Sequence, residues 1–78
     1  MENLEKILNE AVPNVDFRSS EVLVDSNTID SFDIISIIDA VNTAYGIDID
    51  PKDVKPSNFN SFTKIEELIR KYVEQKNG

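Results

Sequence analysis

The sequence contains no cysteine and no histidine among its 78 residues. Without cysteine the fold has no disulfide to stabilise it, and without either residue type the ligands of structural zinc sites are missing. Neither a Ser-His nor a Cys-His nucleophile pair can be assembled from these residues. We therefore expect a protein that is not an enzyme, whose stability depends on packing alone.

Long hydrophobic runs are also missing from the chain. No stretch of about 18 apolar residues occurs, and the start Met1-Glu2-Asn3-Leu4-Glu5 lacks the basic and then apolar pattern of an export signal. We therefore expect no membrane span and a cytoplasmic protein. The length predicts a single domain over residues 1–78, and the 40% hydrophobic content is enough for one small core.

Positive charge is absent from the whole middle of the chain. From Ser19 to Pro51 there are seven acidic residues and no basic one, while the other residues carry eight of each, so this stretch holds the entire net charge of −7. Such a field repels nucleic acid and attracts basic protein surfaces. It is also typical of an ordinary solvated surface, and the charge taken alone favours that second interpretation.

Apolar periodicity predicts two helices in the first part of the chain. The first is expected from Glu2 to Val12 and should end before Pro13. The second is expected to begin at Asp30 or Ser31, either of which can cap it, and to end at Gly46. The residues predicted to face inward from this second helix are Ile34, Ile37, Ile38, Val41, Ala44 and Tyr45.

Two further helices are predicted near the carboxyl end. A short one should start at Asp50-Pro51, as N-cap and first helical position, and be ended by Pro56. The last should begin near Ser61 or at Thr63, where Thr63 and Glu66 fit a capping box. Its expected apolar stripe is Phe62, Ile65, Leu68, Ile69, Tyr72 and Val73. Because no stripe can be buried alone, we predict an all-α fold, a small helical bundle.

A long loop is predicted between the first two helices, over residues 13 to 30. Within it, the apolar group Val22-Leu23-Val24 should pin the loop to the core. A loop of this length in so small a domain is either functional or contains an unrecognised element, such as a single turn near Glu21. The sequence leaves both alternatives open.

Two acidic segments have some features of a calcium loop. Residues 48–53 place Lys52 at a ligand position and lack the glycine of the sharp turn. Asp25, Asn27 and Asp30 supply oxygen atoms, but without the loop glycine or a final glutamate. Loop and helix capping is the better account of both segments, and we predict no metal site.

Asp30-Ser31-Phe32, directly before an apolar helical run, is the motif that points most clearly to chemistry. A hydroxyl at this place lies among unpaired backbone N–H groups and at the positive end of the helix dipole, which favours an attached phosphodiester. Ser31 is therefore a modification candidate, with a plain N-cap residue as the alternative. Phe32 and Ile35 either form an exposed docking patch or cover the long loop, and geometry alone favours neither.

A family resemblance is carried by three segments in order. They are Asp30-Ser31-Phe32-Asp33, then Tyr45-Gly46-Ile47-Asp48-Ile49 after one helix, and then Pro56-Ser57-Asn58-Phe59-Asn60-Ser61-Phe62. With this order and spacing, over nearly its full length, the chain resembles acyl carrier proteins. The resemblance implies an antiparallel bundle of three longer helices and one short helix. It also implies a phosphopantetheine arm on Ser31, transferred from coenzyme A by a phosphopantetheinyl transferase.

The resemblance further implies a role for each residue around Ser31. Acyl or aminoacyl intermediates would be carried as thioesters on the thiol of the arm and presented to enzymes of fatty-acid, polyketide or related biosynthesis. Asp30 would help to position the magnesium ion used by the transferase. The partner-facing residues would be Phe32, Asp33, Ile35 and Asp39.

The implied partners are enzymes. They are the transferase, an acyl- or aminoacyl-activating ligase, and downstream acyl-transfer enzymes with basic docking surfaces. Nucleic acid and a membrane span are not expected, and the carrier itself should be a monomer.

The chain departs from the family in two places. Where members usually have glycine two or three residues before the aspartate, this chain has Thr28 and Asn27. We expect the turn to survive because asparagine tolerates left-handed backbone angles. Where fatty-acid carriers have glutamates on helix two, this chain has Ser36, Asn42 and Thr43.

The second departure, with Phe32 after the serine, favours a dedicated pathway over bulk fatty-acid synthesis. With phenylalanine directly after the serine, the chain is similar to D-alanyl carriers and to some stand-alone aminoacyl or polyketide carriers. The alternative function is a small acidic helical adaptor without a covalent cofactor, which would need only the docking patch.

Overall fold

The computed structural model describes residues 3–77, which form four α-helices and one 3₁₀ turn. The helices are α1 (Leu4–Ala11), α2 (Ser31–Tyr45), α3 (Pro56–Phe59) and α4 (Phe62–Asn77), and the 3₁₀ turn is Pro51–Asp53. No strand occurs within residues 3–77, so the predicted all-α class is confirmed. The radius of gyration is 11.5 Å, the size expected for a compact domain of this length. None of the described helices is long and apolar enough to cross a membrane.

Helix α1 packs against α2 through one apolar face. Leu4 and Leu8 are fully buried, and Val12 is buried just after the helix ends. The observed helix lies inside the predicted range, whose first residue, Glu2, is outside the described residues. The fully buried side chains of the core are Leu4, Leu8, Phe17, Leu23, Ile29, Ile37, Val41, Phe59, Ile65 and Ile69.

Helix α2 begins and ends with specific backbone geometry. Asp30, in extended conformation, is its N-cap, and Gly46 ends it in the left-handed region at φ 64°. The predicted end is therefore confirmed, and of the two candidate caps the structure uses Asp30. The Lys76 ammonium donates to the Tyr45 carbonyl oxygen at 3.2 Å, which gives one of the last carbonyls of α2 a cationic partner.

The predicted inward face of α2 is correct except at one residue. Ile34, Ile37 and Val41 are buried, while Ile38 and Tyr45 are half-buried against the core. Ala44 is exposed, and its prediction was wrong. This residue lies at the edge of the apolar stripe, about 80° around the helix axis from Ile34. Periodicity defines the centre of a stripe better than its border.

The short helix predicted between Asp50 and Pro56 is replaced by two separate pieces. The Asp50 carboxylate accepts a hydrogen bond from the Lys52 amide at 2.9 Å and caps the 3₁₀ turn, which ends at Asp53. Pro56 then begins α3 instead of ending a helix, so that prediction was wrong. Proline keeps the preceding Lys55 extended, and it suits a first helical position because no N–H is needed there.

Helix α4 starts one residue after Ser61. The Ser61 hydroxyl accepts a hydrogen bond from the Lys64 amide at 3.1 Å and so acts as the cap. Of the two predicted starts, the one near Ser61 is confirmed; Thr63 lies inside the helix, so the predicted capping box with Glu66 was wrong. The predicted apolar stripe is confirmed. Its members Phe62, Ile65, Leu68 and Ile69 are buried, and Tyr72 and Val73 are half-buried.

Asn60, at the junction of α3 and α4, fixes the long loop by its backbone and its side chain. Its carbonyl accepts from the Leu23 amide at 2.8 Å. Its side-chain oxygen accepts from the amides of Val24 and Asp25 at 2.9 and 3.1 Å. Leu23 is fully buried and Val24 half-buried, as predicted, but Val22 is 50% exposed, so the prediction for that residue was wrong.

The long loop also contains a turn and a second anchor. The Ser26 amide donates to the Val22 carbonyl at 2.8 Å, so a single turn lies close to the predicted position. Arg18 pairs with Glu5 of α1 at 3.0 Å, and its guanidinium lies over the Phe62 ring at 4.0 Å from the centroid. The loop is thus attached both to α1 and to α4.

Replacing Asn60 by alanine should destabilise the fold. The change leaves the amides of Val24 and Asp25 without their acceptor, so we expect unfolding to become easier by about 1 to 2 kcal/mol. Denaturant unfolding measures this as a lower midpoint with an unchanged slope. Asn9→Ala, at an exposed position of α1, is the control and should change the midpoint little. Equal effects of the two variants would contradict the anchoring role of Asn60.

Candidate functional site

Ser31 is the first residue of α2, and its hydroxyl is free. The side chain is exposed, and among the described residues it makes no hydrogen bond. Because Asp30 occupies the cap position, the alternative in which Ser31 is a plain N-cap does not hold. The hydroxyl is therefore accessible at the positive end of a 15-residue helix.

Asp30 and Asp33 form a reciprocal capping box around this serine. The Asp33 amide donates to Oδ1 of Asp30 at 2.9 Å, and the Asp30 amide donates to Oδ2 of Asp33 at 3.0 Å. The remaining oxygen of each carboxylate has no hydrogen-bond partner within the part of the chain that is described. Each carboxylate thus stabilises the helix start and keeps one oxygen available for an external group.

The predicted partner-facing residues differ in exposure. Phe32 is 79% exposed and Ile35 is 62% exposed, so the alternative in which they cover the long loop is wrong. Asp39 is exposed on the same helix, about 12 Å along the axis from Ser31. Asp33 is half-buried and engaged in the capping box. An exposed apolar pair beside Ser31 is thus bordered by carboxylates.

A cavity of about 430 Å³ adjoins Ser31. Its walls come from the long loop, from the start of α2 and from the segment that precedes α3. Most of its lining residues are apolar, among them Ile34 and Ile35 of α2 and Val54 and Pro56. Lys55 is the one basic residue among them. A group attached to Ser31 therefore has an apolar recess beside its point of attachment.

The turn before Asp30 has the conformation predicted for asparagine. Asn27 has φ 62°, in the left-handed region, and it is one of the residues that line the cavity. The hydroxyls of Ser26 and Thr28 on either side of it lie 2.9 Å apart and are hydrogen bonded. Asparagine adopts this region more readily than most residues with a side chain, so the chain makes this turn without glycine.

Sequence reasoning missed the contribution of Val54 and Lys55 to the site. Both lie between the 3₁₀ turn and α3, in a segment that was expected to be one helix. The available signal was Pro56, which disfavours a helical conformation for the residue before it. An extended residue 55 would have separated the two short elements and exposed both side chains beside the cavity.

Tyr72 of α4 holds the 3₁₀ turn in place and was also missed as a contact. Its hydroxyl donates to the Asp53 carboxylate and accepts from the Asp50 amide at 3.0 Å. The hydrogen bond from Tyr72 lowers the pKa of Asp53, and Lys71, Lys52 and Lys55 lower it further. Burial raises the pKa of Tyr72, as does its hydrogen bond to Asp53. The segment after this turn forms one wall of the cavity.

Comparison with models of protein families, with curated proteins and with solved structures finds no match to this chain. Over the described residues, no group of three or more potential metal-ligating side chains occurs. The function is therefore inferred from the motifs and from the geometry around Ser31.

Tyr72→Phe should weaken the fold in a pH-dependent way. In the folded protein the pKa of Asp53 lies below its ordinary value of 3.8, so its contact with Tyr72 stabilises the fold fully above that value. This stabilisation is lost as the pH falls through the lowered folded pKa. We expect the variant to be less stable than the parent at about pH 7. The difference between their free energies of unfolding should become smaller towards about pH 2.

Tyr45→Phe is the matched control, because the Tyr45 hydroxyl has no hydrogen-bond partner in the described part of the chain. Removing it should not reproduce the acid-dependent change. Chemical denaturation at a series of pH values measures both variants. If the difference in free energy of unfolding between Tyr72→Phe and the parent stays constant from neutral to acid pH, the ionisation of Asp53 is not coupled to Tyr72.

Proposed function

We propose that this protein is an acyl carrier protein, which carries acyl or aminoacyl groups as thioesters on a phosphopantetheine arm attached to Ser31. The observation that carries the proposal is the free, exposed hydroxyl of Ser31 between Asp30 and Phe32 at the start of α2. The resemblance to this family, carried by three segments over nearly the full length of the chain, supports it. The proposed role is that of a carrier and not of a catalyst.

The residues around Ser31 fit the proposed arm. Ser31 Oγ would form the bond to phosphorus while the nucleotide part of coenzyme A leaves, and the transferase would accept the serine proton. The helix dipole and the open first turn of α2 favour the resulting phosphodiester. Asp30 retains one carboxylate oxygen for the magnesium ion of the transferase. The arm would supply the thiol that a chain without cysteine lacks.

The proposed partner surface lies on α2 next to the serine. Phe32 and Ile35 supply exposed apolar contacts, and Asp33 and Asp39 supply negative charge. This combination suits the transferase, an activating ligase and downstream acyl-transfer enzymes with basic docking surfaces. Binding should weaken with salt because charge attraction assists it.

The proposal includes the finer architecture and the setting of the protein. The packing of α1 on α2 and of α3 on α4 is compatible with an antiparallel four-helix bundle, which we propose as its arrangement. A monomer in the cytoplasm fits the role of a mobile carrier. The polar residues Ser36 and Thr43 on the exposed side of α2 favour a dedicated acyl or aminoacyl pathway over bulk fatty-acid synthesis.

The second candidate is a small acidic adaptor without a cofactor, which the exposure of Phe32 and Ile35 would also suit. The two functions differ in their need for the serine hydroxyl. An adaptor should bind its partner equally well after Ser31→Ala, whereas a carrier should lose all loading of cargo.

Incubation with coenzyme A, magnesium and a promiscuous phosphopantetheinyl transferase should add one phosphopantetheine to the chain. The Ser31 hydroxyl is free to react, so intact mass spectrometry should show a complete shift by one arm. Ser31→Ala should show none. Ser36→Ala, which removes another exposed serine of α2, should be modified like the parent.

A known carrier in the same reaction separates an inactive transferase from an unreactive substrate. If that carrier is modified and this chain is not, the carrier function is wrong and the adaptor gains support. Modification of the Ser31→Ala variant would contradict the assignment of the attachment site.

Phe32→Ala and Ile35→Ala should each slow modification by the transferase at low substrate concentration. Both residues are exposed, so each substitution should weaken binding to the transferase and leave the stability of the fold nearly unchanged. We expect kcat/KM to fall by about fivefold or more. Thr43→Ala, three turns further along α2 and exposed, should leave kcat/KM nearly unchanged. Equal rates for all three variants and the parent would place the docking surface elsewhere.

A further inference from the structure

Two polar side chains with free donor groups line the cavity beside Ser31. Lys55 is the one basic residue among the lining residues, and Asn27 supplies their one side-chain amide. Both residues are exposed. Within residues 3–77, neither side chain takes part in a hydrogen bond or an ion pair. Asn27 belongs to the long loop and Lys55 directly precedes α3, so two separate segments bring unused donors to the same cavity as the serine.

The backbone of each of these residues is held in place. The Lys55 amide donates to the Asp53 carbonyl at 3.1 Å, and the Lys55 carbonyl accepts from the Asn58 amide at 2.9 Å. The Asn27 amide donates to the Val24 carbonyl at 3.0 Å. A group bound by the two side chains would therefore have to order only the side chains and not the segments that carry them.

The charges around Ser31 leave one cation for a new negative group. Asp30 is the one acidic residue that lines the cavity, and Asp33 adds a second carboxylate through the capping box. Asp53, two residues before Lys55, does not line this cavity, and its carboxylate accepts the hydrogen bond from Tyr72. A phosphodiester on Ser31 would add a further negative charge beside Asp30 and Asp33. Lys55 is the lining residue that can balance it.

We propose that Lys55 and Asn27 hold the phosphate group of the arm on Ser31, Lys55 as its cationic partner and Asn27 as a hydrogen-bond donor. This inference rests on the proposed carrier function and assigns two arm-binding residues at the same site. Phosphate oxygens are acceptors for both side chains. Because both residues line the cavity, the first part of the arm lies over it. Phe32 does not line the cavity and stays open to partner enzymes.

The expected strength of this contact is modest. Lys55 is exposed, and an ion pair at such a position changes an equilibrium by about two- to fivefold. The two residues therefore restrain the start of the arm and do not fix the whole of it. The contribution of Lys55 should shrink at about 1 M salt, where the Debye length is only about 3 Å, whereas that of the neutral Asn27 should persist.

The test compares the stability of the chain with and without its arm. Parent and variants are each prepared bare and, with coenzyme A, magnesium and the promiscuous transferase, fully modified. Denaturant unfolding then gives the factor by which attachment of the arm changes the unfolding equilibrium constant. Since the phosphate meets Lys55 only in the folded chain, Lys55→Gln should make this factor about two- to fivefold less favourable to folding than in the parent.

Lys6→Gln is the control for charge, because Lys6 is an exposed lysine of α1 and the change in net charge is the same. It should leave the effect of attachment as in the parent. A second readout is the ³¹P chemical shift of the attached phosphodiester. Lys55→Gln should move this resonance, and Lys6→Gln should not.

Asn27→Gly removes the amide and keeps the turn, since glycine adopts a positive φ readily. It should make the effect of attachment less favourable to folding by about twofold or more. Asn14→Gly is the matched control, because Asn14 has φ 73° and does not line the cavity. The change in backbone freedom affects the bare and modified forms equally, so it cancels in the comparison.

The outcomes separate this inference from the carrier function. If no arm can be attached while a known carrier reacts, the carrier function is wrong and the inference falls with it. If the arm is attached but Lys55→Gln behaves as Lys6→Gln and Asn27→Gly behaves as Asn14→Gly, only the inference is overturned. A response of Lys55→Gln alone would overturn the assignment of Asn27, and a response of Asn27→Gly alone would overturn that of Lys55.

Discussion

The reciprocal capping of α2 by Asp30 and Asp33 is the interaction on which the proposed site depends. It satisfies two backbone amides at the helix start, and it places Ser31 at the first helical position instead of the cap. A serine in the cap position would have its hydroxyl engaged with the backbone. Because the carboxylates of Asp30 and Asp33 accept the hydrogen bonds from the backbone amides, the Ser31 hydroxyl is left free at the positive end of the helix dipole.

The surroundings of Ser31 depend on contacts between distant parts of the chain. Asn60 fixes the loop around Val24, and Tyr72 holds the 3₁₀ turn through Asp50 and Asp53. The loop around Val24 and the segment that follows the 3₁₀ turn both line the cavity next to α2. A small domain with no disulfide buries little apolar surface with which to hold its loops in place. Hydrogen bonds from side chains therefore contribute much of the stabilisation of these two segments.

Local pattern was enough to predict the long helices and the tolerance of Asn27 for a left-handed turn, which follow from periodicity and from residue preference. It left open whether Phe32 and Ile35 are exposed or cover the long loop, and only the structure decides that. The start of α3 at Pro56 was missed, and the start of α4 was left open between Ser61 and Thr63, because two local signals competed within a few residues. The role of Asn60 could not be predicted, since it depends on contacts with residues more than thirty positions away in sequence.

The central claim, that Ser31 carries a cofactor arm, is tested most directly by the mass of the protein isolated from its own cells. The account predicts a chain heavier than the sequence by one phosphopantetheine, alone or with an acyl group, and fragmentation that assigns the extra mass to Ser31. Protein isolated entirely at the mass of the bare sequence would contradict it.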